Sequence, residues 1–158
     1  MIAFDPHSLS LVVRWVHVAS MALLLGGAIL LWGLGVKARA LPPAEQNRLL
    51  LFVAERYELF FWAAIGLLVI TGVGNLGALG MALPYSGTTW GDRFVLKLAL
   101  VLLFVPLSLV RTLLIVRLAA AEPADDAVLA TPLRNVYALT TLYAVTILFM
   151  AVSLAHGG

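Results

Sequence analysis

Four separate stretches of this chain stay predominantly apolar for long enough to cross a bilayer, and nothing else in the sequence restricts the fold as much. They run from about Leu9 to Gly35, Leu59 to Gly80, Asp92 to Val116 and Leu133 to Ala155, and a spanning helix needs about 20 such residues. Continuous apolarity favours helices over barrel strands, which would alternate with period two. Composition supports a lipid solvent. Of the 158 residues, 63% are hydrophobic and 11% charged, against roughly 45–50% and about 25% in a soluble domain. So short a chain leaves much of its surface exposed, and a soluble core would not hide that excess. The expected fold is an all-α integral membrane protein, a four-transmembrane-helix bundle forming a single membrane domain over residues 1–158.

Local signals set the boundaries. Asp5-Pro6 or Ser8 can start the first helix, because Asp and Ser cap free N–H groups and Pro suits a first turn. This run is too long for a signal-peptide apolar region, and Val36 to Ala40 after it resembles a cytoplasmic flank, so we read it as a retained span. Pro42-Pro43 interrupts any continuation after Lys37. Residues 45–58 (EQNRLLLFVAERYE) are helical and amphipathic, and should lengthen the second helix on the water side or lie along the interface. Glu55, Arg56 and Glu58 read as the solvated end of that helix. Leu83 to Gly87 is a turn and Ala120 to Pro132 a flexible loop. Pro106 should kink the third helix.

The basic residues indicate orientation. Lys37, Arg39, Arg48, Arg56, Arg111, Arg117 and Arg134 belong to one face, and Arg14, Arg93 and Lys97 to the other. Positive residues are retained in the cytoplasm, which puts both termini on the periplasmic, outer side of a bacterial inner membrane. The net charge of +2 is therefore a topology signal and not a nucleic-acid footprint.

With no cysteine in the chain, thiolate metal sites and disulfides are excluded. The three histidines, His7, His17 and His156, all fall on the outer side. His17 lies about one turn inside the first span, and His156 leaves the fourth at a similar height. Arg14, His17 and Met21 share one stripe of the first helix at i, i+3 and i+7. Met150 reaches a depth comparable with Met21. Lys97 is a charge at membrane depth, a functional candidate by default. Asp92 precedes it, and Asn75 approaches the same level from the second helix.

Imidazole and thioether suit copper, with Met favouring the cuprous ion. Two histidines facing each other from different helices equally suit axial ligation of haem b, with Arg14 or Lys97 meeting its propionates. Plainer roles stand beside these: His17 as an interhelical hydrogen bonder, His156 and His7 as solvated residues, Met21 and Met150 as packing, and Lys97 as a snorkelling charge.

Arg14-Trp15-Val16-His17-Val18-Ala19-Ser20, running into Leu25-Gly26-Gly27, resembles the first helix of the copper-resistance protein D family. Ile70-Thr71-Gly72 resembles the Thr-Gly of that family's next apolar helix. Thr89 to Arg93, followed by Leu96 to Val101 with Lys97, is similar to its Tyr-Gly…Lys…Val segment, with Trp90 in place of Tyr. The resemblance implies an inner-membrane protein linked to copper handling, moving copper from periplasm to cytoplasm, with His17 and Lys97 at the matching positions. Family members are often longer, so small relatives could instead bind haem or act as accessory subunits of a respiratory assembly. The expected metal ligands are His17, His156, Met21 and Met150. Expected partners are the lipid bilayer and either a periplasmic copper donor or a respiratory partner. Dimerisation would let so small a bundle enclose a path. An enzyme is the least supported class, since no nucleophile–base pair stands out.

Overall fold

The structure, a computed structural model, describes residues 6–77, 87–120 and 129–156, with the side chains at 6, 7 and 75–77 outside that set. The side chains of His7 and Asn75 therefore lie outside the described residues, as do the turn expected at 83–86 and most of the expected loop after Ala120.

Helix α1 covers Pro6–Lys37 and ends in a single 3-10 turn, Ala38–Ala40. Helix α2 covers Pro43–Gly77, α3 Thr89–Ala120 and α4 Ala130–Ala155. All four are long and apolar enough to span a membrane. Pro43 starts α2 because a first-turn residue has no intrahelical use for its N–H, and the Gln46 N–H closes the first turn on the Pro42 carbonyl at 2.9 Å. The amphipathic stretch 45–58 lengthens α2 without a break. α3 continues through Pro106 as one helix.

The start of α3 is capped from both directions. The Thr88 hydroxyl accepts the Gly91 N–H at 3.0 Å, and Asp92 Oδ1 accepts the Gly87 N–H at 3.1 Å. Gly87 has φ +108°, a left-handed conformation that glycine adopts without a Cβ penalty.

Each helix is antiparallel to its neighbour in sequence. α1 packs between α2 and α4, α3 packs on α4 and less extensively on α2, and α1 and α3 are diagonal. Every helix buries a stripe at alternating spacings of four and three. The stripes are Leu24, Ala28 and Leu31 on α1; Leu50, Ala54, Tyr57, Phe61 and Ala64 on α2; Phe104, Ser108, Arg111 and Ile115 on α3; and Leu133, Tyr137, Thr140 and Ala144 on α4. That spacing is the seam of slightly crossed helices, whose knobs fill one another's holes. The opposite faces, with Leu102, Val110, Leu139 and Phe149 among them, are exposed and apolar, as lipid requires.

Close approach in the bundle depends on Gly27. A Cβ there would stand 2.3 Å from the Tyr57 ring, and the Tyr57 hydroxyl donates to the Leu24 carbonyl at 2.7 Å. The ring thus lies across the small residue and reaches the backbone of α1 beyond it.

Candidate functional site

Two polar groupings interrupt the apolar interior. The first, near the start of α1, is built on His17. Thr71 of α2 is buried, and its hydroxyl donates to the Leu67 carbonyl one turn back at 2.6 Å. His17 Nδ1 lies 2.8 Å from the same oxygen. In the tautomer that leaves the Thr71 proton on Leu67, His17 donates to Thr71 from Nδ1. Nε2 then carries the free lone pair, so His17 can offer one ligand atom to a metal, oriented by an outer hydrogen bond. Gly72 adjoins the ring edge, its Cβ position 3.8 Å from Cε1. Lys97, on the diagonal helix α3, is half-buried. It stands in register with the buried stripe of α3, seven positions before Phe104.

The remaining candidates fall around this site in different ways. Met21 packs partly buried against the core, one turn along the stripe from His17. Arg14 is exposed. Asp92 is exposed and serves as the cap described above. Met150 is half-buried. His156 is exposed, with Nδ1 at 2.9 Å from the Val152 carbonyl of its own helix. Leu154 is the buried residue at that end of α4, so His156, two positions on, turns off the stripe. The neighbouring helix ends are joined by Trp90, whose indole N–H donates to the Leu154 carbonyl at 3.1 Å, and by Arg93 on Ser153 at 3.4 Å. Among the described residues, no group of three or more His, Asp or Glu side chains could hold a metal ion.

The second grouping lies about 20 Å away along α2, at about 1.5 Å per residue from Thr71 to Glu58, and corrects the sequence reading. Glu58 does not end in water, nor is Arg111 a loop-flanking charge. They are 5% and 4% exposed and form a two-point ion pair, Arg111 Nε to Oε1 and Nη2 to Oε2, both at 2.9 Å. Tyr137 donates to Oε1 at 3.0 Å, and the Thr112 hydroxyl meets Oε2. Arg111 Nη1 reaches Thr140 at 3.1 Å, and the indole of Trp62 donates to Thr112 at 3.0 Å. The guanidinium carbon lies 4.1 Å from the centre of the Phe61 ring, with Tyr57 and Tyr137 at 5.7 and 5.5 Å. The physical reason is that a bare charge in hydrocarbon is prohibitive, whereas a pair with all its hydrogen bonds made is tolerated.

Local sequence gave one usable sign of this grouping. Arg111 follows Lys97 by 14 positions, two repeats of a seven-residue stripe, so a charge expected to face inward implies a second on the same face. Glu58, adjoining a stretch of water-side charges, carried no such sign.

A model of the copper resistance protein D family matches residues 52–154. The match takes in Thr71, Lys97 and the whole Glu58–Arg111 grouping, and begins after α1, so His17 lies outside it. No curated protein and no solved structure gives a significant match. The family model covers about two thirds of the sequence and three of the four apolar helices, and on that basis the chain belongs to the copper resistance protein D family, as a multi-pass membrane protein of copper handling.

Proposed function

We propose that this protein carries copper across a bacterial inner membrane, taking the ion at His17 and releasing it at the end that bears the α1–α2 and α3–α4 connections. The observation that carries the reading is the hydrogen bond between His17 Nδ1 and Thr71, which in the Nδ1–H tautomer leaves the Nε2 lone pair for a metal. Met21, one turn along the same stripe, would add a thioether, and an imidazole–thioether pair suits the cuprous ion. His156 and Met150 of α4 are the further ligands proposed, which for His156 requires leaving the Val152 carbonyl.

Lys97 tunes this site. A neighbouring ammonium repels a bound cation, so the ion is held weakly, and a transfer site must release what it binds. The concentration of Lys37, Arg39, Arg48, Arg117 and Arg134 at the opposite end supports inward movement, since positive flanks face the cytoplasm.

Copper accumulation in cells expressing the intact protein or His17→Ala tests the proposal. Accumulation should fall to the level of cells lacking the protein, and unchanged accumulation would sink the reading. An absorption spectrum of the purified protein from haem-replete cells is the companion measurement. Bound copper without a Soret band is the expected result, and a Soret band would mark a b-type haem protein instead.

A further inference from the structure

We propose that Arg111 is a tethered cation occupying a second cation position on this path, and that its ion pair with Glu58 closes the inner half of the bundle. The inference rests on the copper-transport reading above and extends it to a residue pair to which the family match assigns no role. Three features of the grouping support it.

Glu58 presents a carboxylate, with the Tyr137 and Thr112 hydroxyls on it, at a place where the other contacts are ring faces. Phe61, Tyr57 and Tyr137 surround the guanidinium, and aromatic faces attract cations through their quadrupoles. Negative oxygen and π faces together form a cation site. Arg111 fills it from a side chain of the same protein.

The position is also a crossing point. The grouping joins α2 through Glu58 and Trp62, α3 through Arg111 and Thr112, and α4 through Tyr137 and Thr140, while Tyr57 extends it to α1 through the Leu24 carbonyl. All four helices meet there. An ion leaving His17 along the interior therefore meets Arg111 before the basic end, and like charges exclude one another.

A groove of about 240 Å³ between α3 and α4 adjoins the guanidinium, open on its lipid side past Val110 and Leu139 and lined within by Ser108, Arg111, Thr140 and Tyr143. The space on its inner side lets the side chain turn on Thr140, which already holds Nη1, when it leaves Glu58. Passage then consists of an exchange: the guanidinium withdraws, the travelling ion takes its place on the carboxylate, and the guanidinium returns as the ion moves on.

The absence of cysteine makes the closure directly measurable. Ala64 is 1% exposed on α2, on the His17 side of Glu58. In reconstituted vesicles, Ala64→Cys should react slowly with a small charged, membrane-impermeant thiol reagent supplied only on the side of the α1–α2 and α3–α4 connections, and at least tenfold faster when Arg111→Ala is added. Millimolar ethylguanidinium should restore slow labelling by refilling the position, and should have no effect when Glu58→Gln is also present. Ala28→Cys, in the packed seam of α1, should stay protected throughout.

Equal labelling of Ala64→Cys with and without Arg111 would overturn the proposal. So would labelling that ethylguanidinium leaves unchanged, or labelling of Ala28→Cys to the same degree, which would mean a loosened bundle. Should Arg111→Ala fail to give a symmetric size-exclusion peak, Arg111→Lys is read instead. It keeps the charge and loses the two-point grip, so an intermediate rate is expected and an unchanged rate overturns the idea. The labelling needs no copper, so loss of the closure and loss of copper transport are scored separately.

Discussion

Arg111 holds both oxygens of Glu58, through Nε and Nη2 at 2.9 Å each, in the interior of a bundle whose outer faces are apolar. The pair is neutral as a unit, and its carboxylate accepts from Tyr137 and Thr112 as well. Removing one member strands the other, and an unpaired buried charge costs about 3–5 kcal/mol. Glu58→Ala and Arg111→Ala should each destabilise the purified protein by that order, read as loss of helix content on heating or in denaturing detergent. The paired change Glu58→Gln with Arg111→Met removes both charges and should cost clearly less than either single change. Additive losses would mean that the two side chains are not energetically coupled.

This pair also shows where sequence reading reached its limit. The four spans were legible because lipid demands length and apolarity, which can be counted. The inward faces were hard to read from hydropathy, because the lipid-facing surface is as apolar as the core and no amphipathic contrast marks the seam. Polar residues carry the contrast instead: His17, Thr71, Lys97, Ser108, Arg111 and Thr140 all fall on, or in register with, the buried stripes. Lys97 stands in register with the buried stripe of α3, and a charge at membrane depth usually needs the bundle interior. Glu58 was misread because Glu55 and Arg56 next to it face outward, and only the helix rotation separates them. The angle of His156 on α4 depends on the whole seam and not on its distance from the helix end.

The two adjacent glycines of α1 should behave differently. At Gly27 a Cβ would meet Tyr57 ring carbons at 2.3 and 2.5 Å, whereas at Gly26 nothing lies within 4 Å. Gly27→Ala must push the Tyr57 ring away and break its bond to the Leu24 carbonyl, an overpacking cost of about 1–3 kcal/mol. Gly26→Ala should stay within about 0.5 kcal/mol of the parent. Thermal unfolding of the two variants side by side checks this, and equal losses would contradict the packing described.

Thr71 sets the ring nitrogen that His17 presents, so its replacement separates orientation from ligation. Thr71→Val keeps the shape and removes the acceptor for Nδ1, freeing the ring to rotate or change tautomer. Losing such an outer-shell partner commonly costs about 10–100-fold in metal affinity. Cuprous-ion titration of the purified variant against a competing chelator should show a weakening of that order, with the fold intact by circular dichroism. Thr71→Ser retains a hydroxyl that can donate to Leu67 and accept from His17, and should restore most of the affinity. A Thr71→Val protein that binds as tightly as the parent would show that the hydrogen bond does not orient the ligand.

Lys97 gives the opposite sign. Half-buried on α3, its ammonium is a positive charge within the bundle that carries His17, and its field opposes any cation bound at Nε2. Lys97→Met keeps the length and apolar stem and deletes the charge. Copper should bind more tightly to the purified variant while its movement across reconstituted vesicles slows, because the ion is released less readily. A lysine that only snorkels to the interface would leave both quantities unchanged, and weaker binding in the variant would mean that Lys97 supports the site and does not oppose the ion.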